Sequence, residues 1–157
     1  MDKNIFITGS SGLLGTSLKK KLLEKKIKFK TFKRKKLKKY DQFYFSNFFN
    51  KNKFTHIINL AAYTDVDGCE KNKKNCDVVN VKLVRNICEG IKLCNFKIKL
   101  IHFSTDQMYS NKKINNEKNT KIKNYYTLSK IKSEKLAMRV NAIVLRTNFF
   151  GKSLTKK

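Results

Sequence analysis

Tyr126 and Lys130 stand four residues apart in the segment YYTLSKIKSE (125–134), and Thr105 closes an apolar run upstream of them. A phenol titrates near pH 10 and exchanges protons poorly at neutral pH unless a neighbouring cation favours its phenolate. Residues at i and i+4 share one face of a helix, so Lys130 is placed to supply that cation. Thr105 offers a hydroxyl able to hold a reacting carbonyl oxygen. Tyr125 adjoins Tyr126 but has Ser129, not a lysine, at that offset. The predicted chemistry is proton transfer at an oxygen, with Thr105, Tyr126 and Lys130 as its catalytic groups.

A second constellation lies at the start of the chain. Gly9, Gly12 and Gly15 form a G-x-x-G-x-x-G turn directly after the apolar run Asn4–Thr8. In a strand-to-helix turn of this kind the first glycine permits the sharp bend and the second lets backbone approach a pyrophosphate. The third lets helix and strand pack closely, while the helix N-terminus offers N–H groups to the phosphates. Ser10 and Ser11 add small hydroxyls. The end of the second strand should select the cofactor, since an acid there favours NAD and a base favours the 2′-phosphate of NADP. The chain reads Thr31-Phe32-Lys33-Arg34-Lys35-Lys36, without an acid, and Arg34 is one of only four arginines. Lys33 and Arg34 therefore point to NADP, with NAD as the alternative.

These groups need a scaffold, and hydrophobic periodicity supplies one. The strand Asn4–Thr8 leads into a helix whose face carries Leu14, Leu18 and Leu22 and which ends near Lys25-Lys26. Ile27, Phe29 and Thr31 alternate as a second strand, followed by a basic, irregular stretch to about Lys53. Phe54–Leu60 reads as a buried strand, Val78–Leu93 as a helix, Lys99–Ser104 as a strand, Tyr125–Met138 as a helix and Ala142–Leu145 as a last strand. Alternation of this kind predicts an α/β fold: a Rossmann-type, doubly wound parallel sheet with helices on both faces. Ligands bind such sheets beyond the carboxyl ends of the strands. The glycine turn, Ala61-Ala62-Tyr63, Ser104-Thr105-Asp106 and Arg146-Thr147 all fall at that end.

Length and composition bound the function class. The 157 residues amount to one domain, residues 1–157, and no apolar run approaches the ~20 residues of a membrane span. The N-terminus shows no signal-peptide pattern, so the expected location is the cytoplasm and no membrane partner is expected. Cys69, Cys76, Cys88 and Cys94 form no C-x-x-C pair and read as buried or idle thiols rather than disulfides or a metal site. The formal net charge of +26 invites a nucleic-acid reading. Against it, the bases are mostly lysines spread along the chain, beside abundant Asn and no Pro, which reads as compositional drift on a solvated surface. No specific nucleic-acid partner is expected.

The segments ITGSSGLLG (7–15), INLAAYTDVDGCE (58–70) with VNV (79–81), IHFSTDQMY (101–109), YYTLSKIKSE (125–134) and VLRTNFFG (144–151) resemble the fingerprints of one family. It is the extended short-chain dehydrogenase/reductases, and within them the dTDP-4-dehydrorhamnose reductase-like group. The resemblance implies that Gly9, Ser11, Gly12, Leu13, Leu14 and Gly15 line the pyrophosphate. Ala61, Ala62 and Tyr63 would pass beside the adenosine and ribose, with Lys130 on the nicotinamide ribose. Thr105 and Asp106 would face the sugar, and Tyr126 would give the proton. Phe103 and Phe149 would stand near the ligand or simply pack in the core. Asp65, Asp67 and Glu70 read as a polar helix N-terminus, and His56 and His102 as structural residues.

The function implied is NADPH-dependent reduction of a 4-keto nucleotide-deoxysugar, in dTDP-rhamnose and polysaccharide biosynthesis. The alternatives are a nucleotide-sugar epimerase or dehydratase of the same fold, or a catalytically silent dinucleotide-binding subunit. The family carries a second, smaller lobe after the VLRT strand, whereas this chain ends in Thr155-Lys156-Lys157. The expectation is therefore a Rossmann domain without its C-terminal substrate lobe, prone to self-association or completed by a separate lobe chain.

Overall fold

The computed structural model describes residues 3–32, 40–109 and 115–148. Five strands, β1 (Asn4–Thr8), β2 (Lys28–Thr31), β3 (His56–Asn59), β4 (Lys99–Thr105) and β5 (Ile143–Thr147), form one parallel sheet in the order β2-β1-β3-β4-β5. The order reverses at β1, whose carboxyl end opens into the glycine turn. In a doubly wound sheet that reversal is where a crevice forms.

Strand alternation divides the core in two. On β1, Phe6 points to one face, where it packs with Phe45, Phe49, Phe54, Ile57, Ile87 and Leu100; Ile5 and Ile7 point to the other, with Leu22 and Ile58. The first face is covered by α2 (Gln42–Asn52), α5 (Leu83–Lys92) and α6 (Tyr125–Met138), and the second by α1 (Leu13–Glu24). On the α1 side, Ile143 and Leu145 of β5 remain exposed.

The expected strands and the three expected helices are present, with ends moved by a few residues. One expectation is overturned. The stretch between Thr31 and Lys53 is not irregular throughout, because α2 occupies Gln42–Asn52. Asp41 caps it by accepting from the Tyr44 N–H at 2.8 Å, and Lys53 closes it in the left-handed region at φ +49°. The segment QFYFSNFFNKN is poor in strong helix formers. Burial of Phe45 and Phe49, one turn apart, and T-shaped contact of Phe48 with Phe6 outweigh that deficit.

The helix expected from Val78 begins earlier. α3 (Val66–Lys71) starts at the Asp65 cap, whose side chain accepts from the Gly68 N–H at 2.9 Å. α4 (Lys73–Asp77) then runs without a break through one π turn, Val78–Lys82, into α5. Among the described residues no helix is long and apolar enough to cross a membrane.

Candidate active site

The glycine turn is shaped by steric exclusion at two of its glycines. Gly9 has φ +70°, and a Cβ there would sit 2.5 Å from the backbone of Leu60 and Ala61. At Gly15 a Cβ would stand 2.4 Å from the Gly9 carbonyl oxygen, so only glycine lets α1 pack this closely on the turn. Gly12 differs. Its nearest neighbour to a Cβ would be the Gly9 oxygen at 3.5 Å, so its open side faces the groove. Gly12 is also the N-cap of α1, and no side chain caps that end. By contrast α2, α3, α4 and α6 are each capped by an Asp or Asn side chain. The free N–H groups of the first turn of α1 are thus left for a ligand.

An open groove of about 870 Å³ runs from this turn across the carboxyl ends of the strands. Gly9 to Gly15 line one end, Ala61 to Tyr63 the middle, and Thr105, Tyr126 and Lys130 the other. Asp106 opens the 3₁₀ turn Asp106–Met108 just outside the wall, where Gln107 faces the groove instead. Phe103 both lines the groove and packs against the α1-side core. Lys33, Arg34 and Phe149 lie outside the described residues.

Tyr126 sits buried near the start of α6, where Asn124 caps the helix in a reciprocal box with Thr127. Its phenol lies beside the Thr105 hydroxyl at the end of β4. Burial holds the phenol above its ordinary value, and the neighbouring Thr105 hydroxyl partly counters this. The lowering expected from Lys130 is therefore not present in the chain by itself. The reason is geometric: the Lys130 ammonium donates to the Phe103 carbonyl at 2.7 Å rather than to the phenol. Lys130 is only 2% exposed, and burial draws it down to about 8, with the Glu134 charge opposing that fall.

The neighbouring tyrosine is differently engaged. Tyr125 donates its hydroxyl to Asp77 Oδ2 at 2.8 Å, which pushes its phenol up to about 12, and its ring lies outside the groove wall. The backbone N–H of Tyr125 donates to Glu70. Asp65 and Glu70 thus serve helix ends, and Asp65 also reaches the groove wall.

Two buried polar networks hold these groups in place. Asn80, projected from the π turn, accepts from the Tyr63 N–H at 2.7 Å and donates to the Tyr63 carbonyl at 3.1 Å. It also donates to Ser129 Oγ at 2.9 Å, and Ser129 donates to the Tyr126 carbonyl at 2.7 Å. The Ala61–Tyr63 side of the groove and α6 are therefore tied through one amide. In the second network the Asn59 amide nitrogen lies 2.9 Å from His102 Nδ1, which must accept, so Nε2 carries the proton and donates to Ser133 Oγ at 3.0 Å. Ser133 donates to the Lys130 carbonyl at 2.8 Å. Burial and the Lys130 charge lower His102 to about 3, so its ring is neutral. The sequence reading quoted Asn80 only within the VNV (79–81) fingerprint and gave it no role of its own.

The cysteines are free thiols. Cys69 and Cys76 pack together beneath Tyr126, and burial pushes the Cys69 thiol up to about 12, away from the reactive thiolate.

A glycine-turn Rossmann domain with a Thr–Tyr–Lys set at the far end of one groove defines a nicotinamide-dinucleotide-binding class. Within that class, residues 3–154 match the family model described as "RmlD substrate binding domain", and the chain belongs to that family. It is 31% identical over 156 residues to a dTDP-4-dehydrorhamnose reductase of Aggregatibacter actinomycetemcomitans, covering 94% of this chain and 52% of that protein. Its fold superposes on a Clostridium acetobutylicum dTDP-4-dehydrorhamnose reductase ortholog with a TM-score of 0.80 at 22% identity, over 92% of this chain and 53% of that one. A Bacillus anthracis dTDP-4-dehydrorhamnose reductase solved with NADP gives 0.79 at 24%, over 93% and 53%. The chain spans about half the length of these relatives.

Proposed function

We propose that the chain carries the cofactor-binding and proton-transferring groups of an NADPH-dependent reductase acting on the 4-keto group of a nucleotide-activated deoxysugar, of the dTDP-4-dehydrorhamnose type. The observation that carries this reading is the convergence of Thr105, Tyr126 and Lys130 on a groove that begins at an uncapped, glycine-lined helix N-terminus. NADPH, when bound, supplies the hydride for the keto carbon. The chain's own groups do the rest. The first-turn N–H groups of α1 hold the phosphates. The Thr105 hydroxyl donates to the keto oxygen and orients it. Tyr126, kept in its protonated form by burial, gives its proton to that oxygen as charge develops there. Lys130, charged at neutral pH, holds the cofactor ribose and stabilises the phenolate that remains.

NADP rather than NAD is favoured by Lys33 and Arg34, and a related reductase is known with NADP. Asp106 is assigned to the sugar side. The test has two arms: titration of the chain with NADPH and NADH, and NADPH oxidation with a dTDP-4-keto-6-deoxyhexose by the protein as its gene expresses it. Saturable NADPH binding and turnover of the keto sugar are expected. Absence of NADPH binding by the folded chain overturns the proposal.

A further inference from the structure

One helical turn beyond Lys130, on the same buried face of α6, lies an ion pair that the chemistry above does not use. Glu134 is one helical turn beyond Lys130 and its side chain is 3% exposed. Arg146, near the end of β5, grips it through two contacts, Nε to Oε1 at 2.9 Å and Nη2 to Oε2 at 2.7 Å. The same guanidinium donates through Nη1 to the Tyr109 hydroxyl at 3.1 Å and to the Glu117 carbonyl at 2.7 Å, and it lies 5.3 Å from the centre of the Tyr109 ring. One side chain thereby joins α6, β5, the end of the turn after β4 and the segment that leads back to α6. A forked, nearly dry pair of this kind is specific in geometry, and removing one member leaves a buried charge uncompensated.

We propose that Glu134 and Arg146 are a positioning pair: Arg146 clamps Glu134 against the segments that follow β4 and so holds its carboxylate one helical turn from Lys130, on the same buried face, where it supports the charge of the ammonium that the Phe103 carbonyl holds in place. The proposal rests on the reading of Lys130 as a cofactor-holding cation. Its physical basis is a competition. Burial disfavours the Lys130 ammonium, and the Glu134 carboxylate is the main opposing influence. The other ionisable groups facing Lys130 are His102 on β4, Cys76 on α4 and Tyr126 on α6 itself. His102 is neutral across the alkaline range, so Glu134 is the carboxylate that holds the charge. Without Arg146, that carboxylate would itself be an unpaired buried charge and would not keep its orientation.

The test compares the unaltered chain with Glu134→Gln, and with Glu134→Gln combined with Arg146→Met, which removes both charges and guards against misfolding from an orphaned arginine. Two readouts are taken against pH. In the cofactor-free protein, a lysine held below its unfolded value makes stability rise with pH between its folded and unfolded values. Losing Glu134 should move the lower edge of that window down from about 8 by about one pH unit. The thiols of Cys69 and Cys88, pushed up to about 12, contribute an opposite slope, but equally in every variant, so the difference between profiles is read. In the second readout, the alkaline loss of NADPH affinity should shift down by the same amount. A folded double variant with both profiles unchanged overturns the positioning role. If the stability profile shifts while the unaltered chain binds no NADPH, the pair stands and the functional reading of Lys130 falls.

Discussion

The Tyr126 phenol and the Thr105 hydroxyl face each other in the groove, one from α6 and the other from the end of β4. Tyr125, its neighbour in sequence, is turned away and holds Asp77 instead. This separates two phenols that the sequence places side by side. Tyr126→Phe should abolish keto-sugar reduction, by at least about 10²-fold in kcat, the usual scale for a lost acid-base group. NADPH affinity should stay within about twofold, since binding rests on the glycine turn and Lys130. Tyr125→Phe should keep kcat and lower thermal stability slightly. Steady-state kinetics beside NADPH titration decides; turnover lost in the Tyr125 variant and kept in the Tyr126 variant would reverse the assignment.

The three glycines make a second, sharper contrast. A Cβ at Gly15 would meet backbone at 2.4 Å, whereas one at Gly12 would enter open groove. Gly15→Ala should therefore destabilise the fold, by about 1–3 kcal/mol as overpacking does. Gly12→Ala should leave the melting temperature near that of the unaltered chain and weaken NADPH binding. Denaturant unfolding and fluorescence titration of the two variants measure these effects separately. Equal effects of both substitutions on stability would show that Gly12 is a packing glycine.

Much of this arrangement was legible in the sequence because the signals were local. The glycine turn, the 2.0-residue alternation of Ile27, Phe29 and Thr31 and the Tyr125–Met138 helix each follow from neighbours a few positions apart. What escaped was set by partners distant in sequence. α2 looks irregular by propensity, and it forms because Phe45 and Phe49 find Phe6, Phe32 and Phe54. Asn80 matters through Tyr63 and Ser129, seventeen and forty-nine residues away. The direction in which Lys130 points was equally unreadable. Four-residue spacing puts it on the face of Tyr126, but the Phe103 carbonyl decides where its ammonium rests.

The proposed reading gives cofactor choice to Lys33 and Arg34. If a 2′-phosphate is the group they meet, NADPH should bind more tightly than NADH, and the preference should fall as salt is raised because charge carries it. Arg34→Asp should narrow or reverse the preference by repelling the phosphate and accepting from a ribose hydroxyl. Parallel titrations with the two cofactors give the answer. Equal affinities in the unaltered chain would remove Lys33 and Arg34 from the site.

His102 makes the fold acid-sensitive in a predictable window. Its ring is fully buried between Asn59 and Ser133, neutral, with Nδ1 accepting and Nε2 donating. Burial, and after it the Lys130 charge, hold the group at about 3 rather than 6.5; protonation would also break the Asn59 bond. The sign follows from proton counting. Between these two values the unfolded chain binds a proton that the folded chain refuses, so stability falls as pH drops through 6.5 and goes on falling towards 3. Between pH 7 and pH 5 the loss from this one group is about 2 kcal/mol, before most carboxylates begin to titrate. His102→Gln cannot titrate and should flatten that slope, at a cost in stability at pH 7 from the altered hydrogen bonds. Thermal melting of both proteins from pH 7 to pH 5 checks it. Parallel profiles would mean that His102 is not the group that couples the sheet to acid.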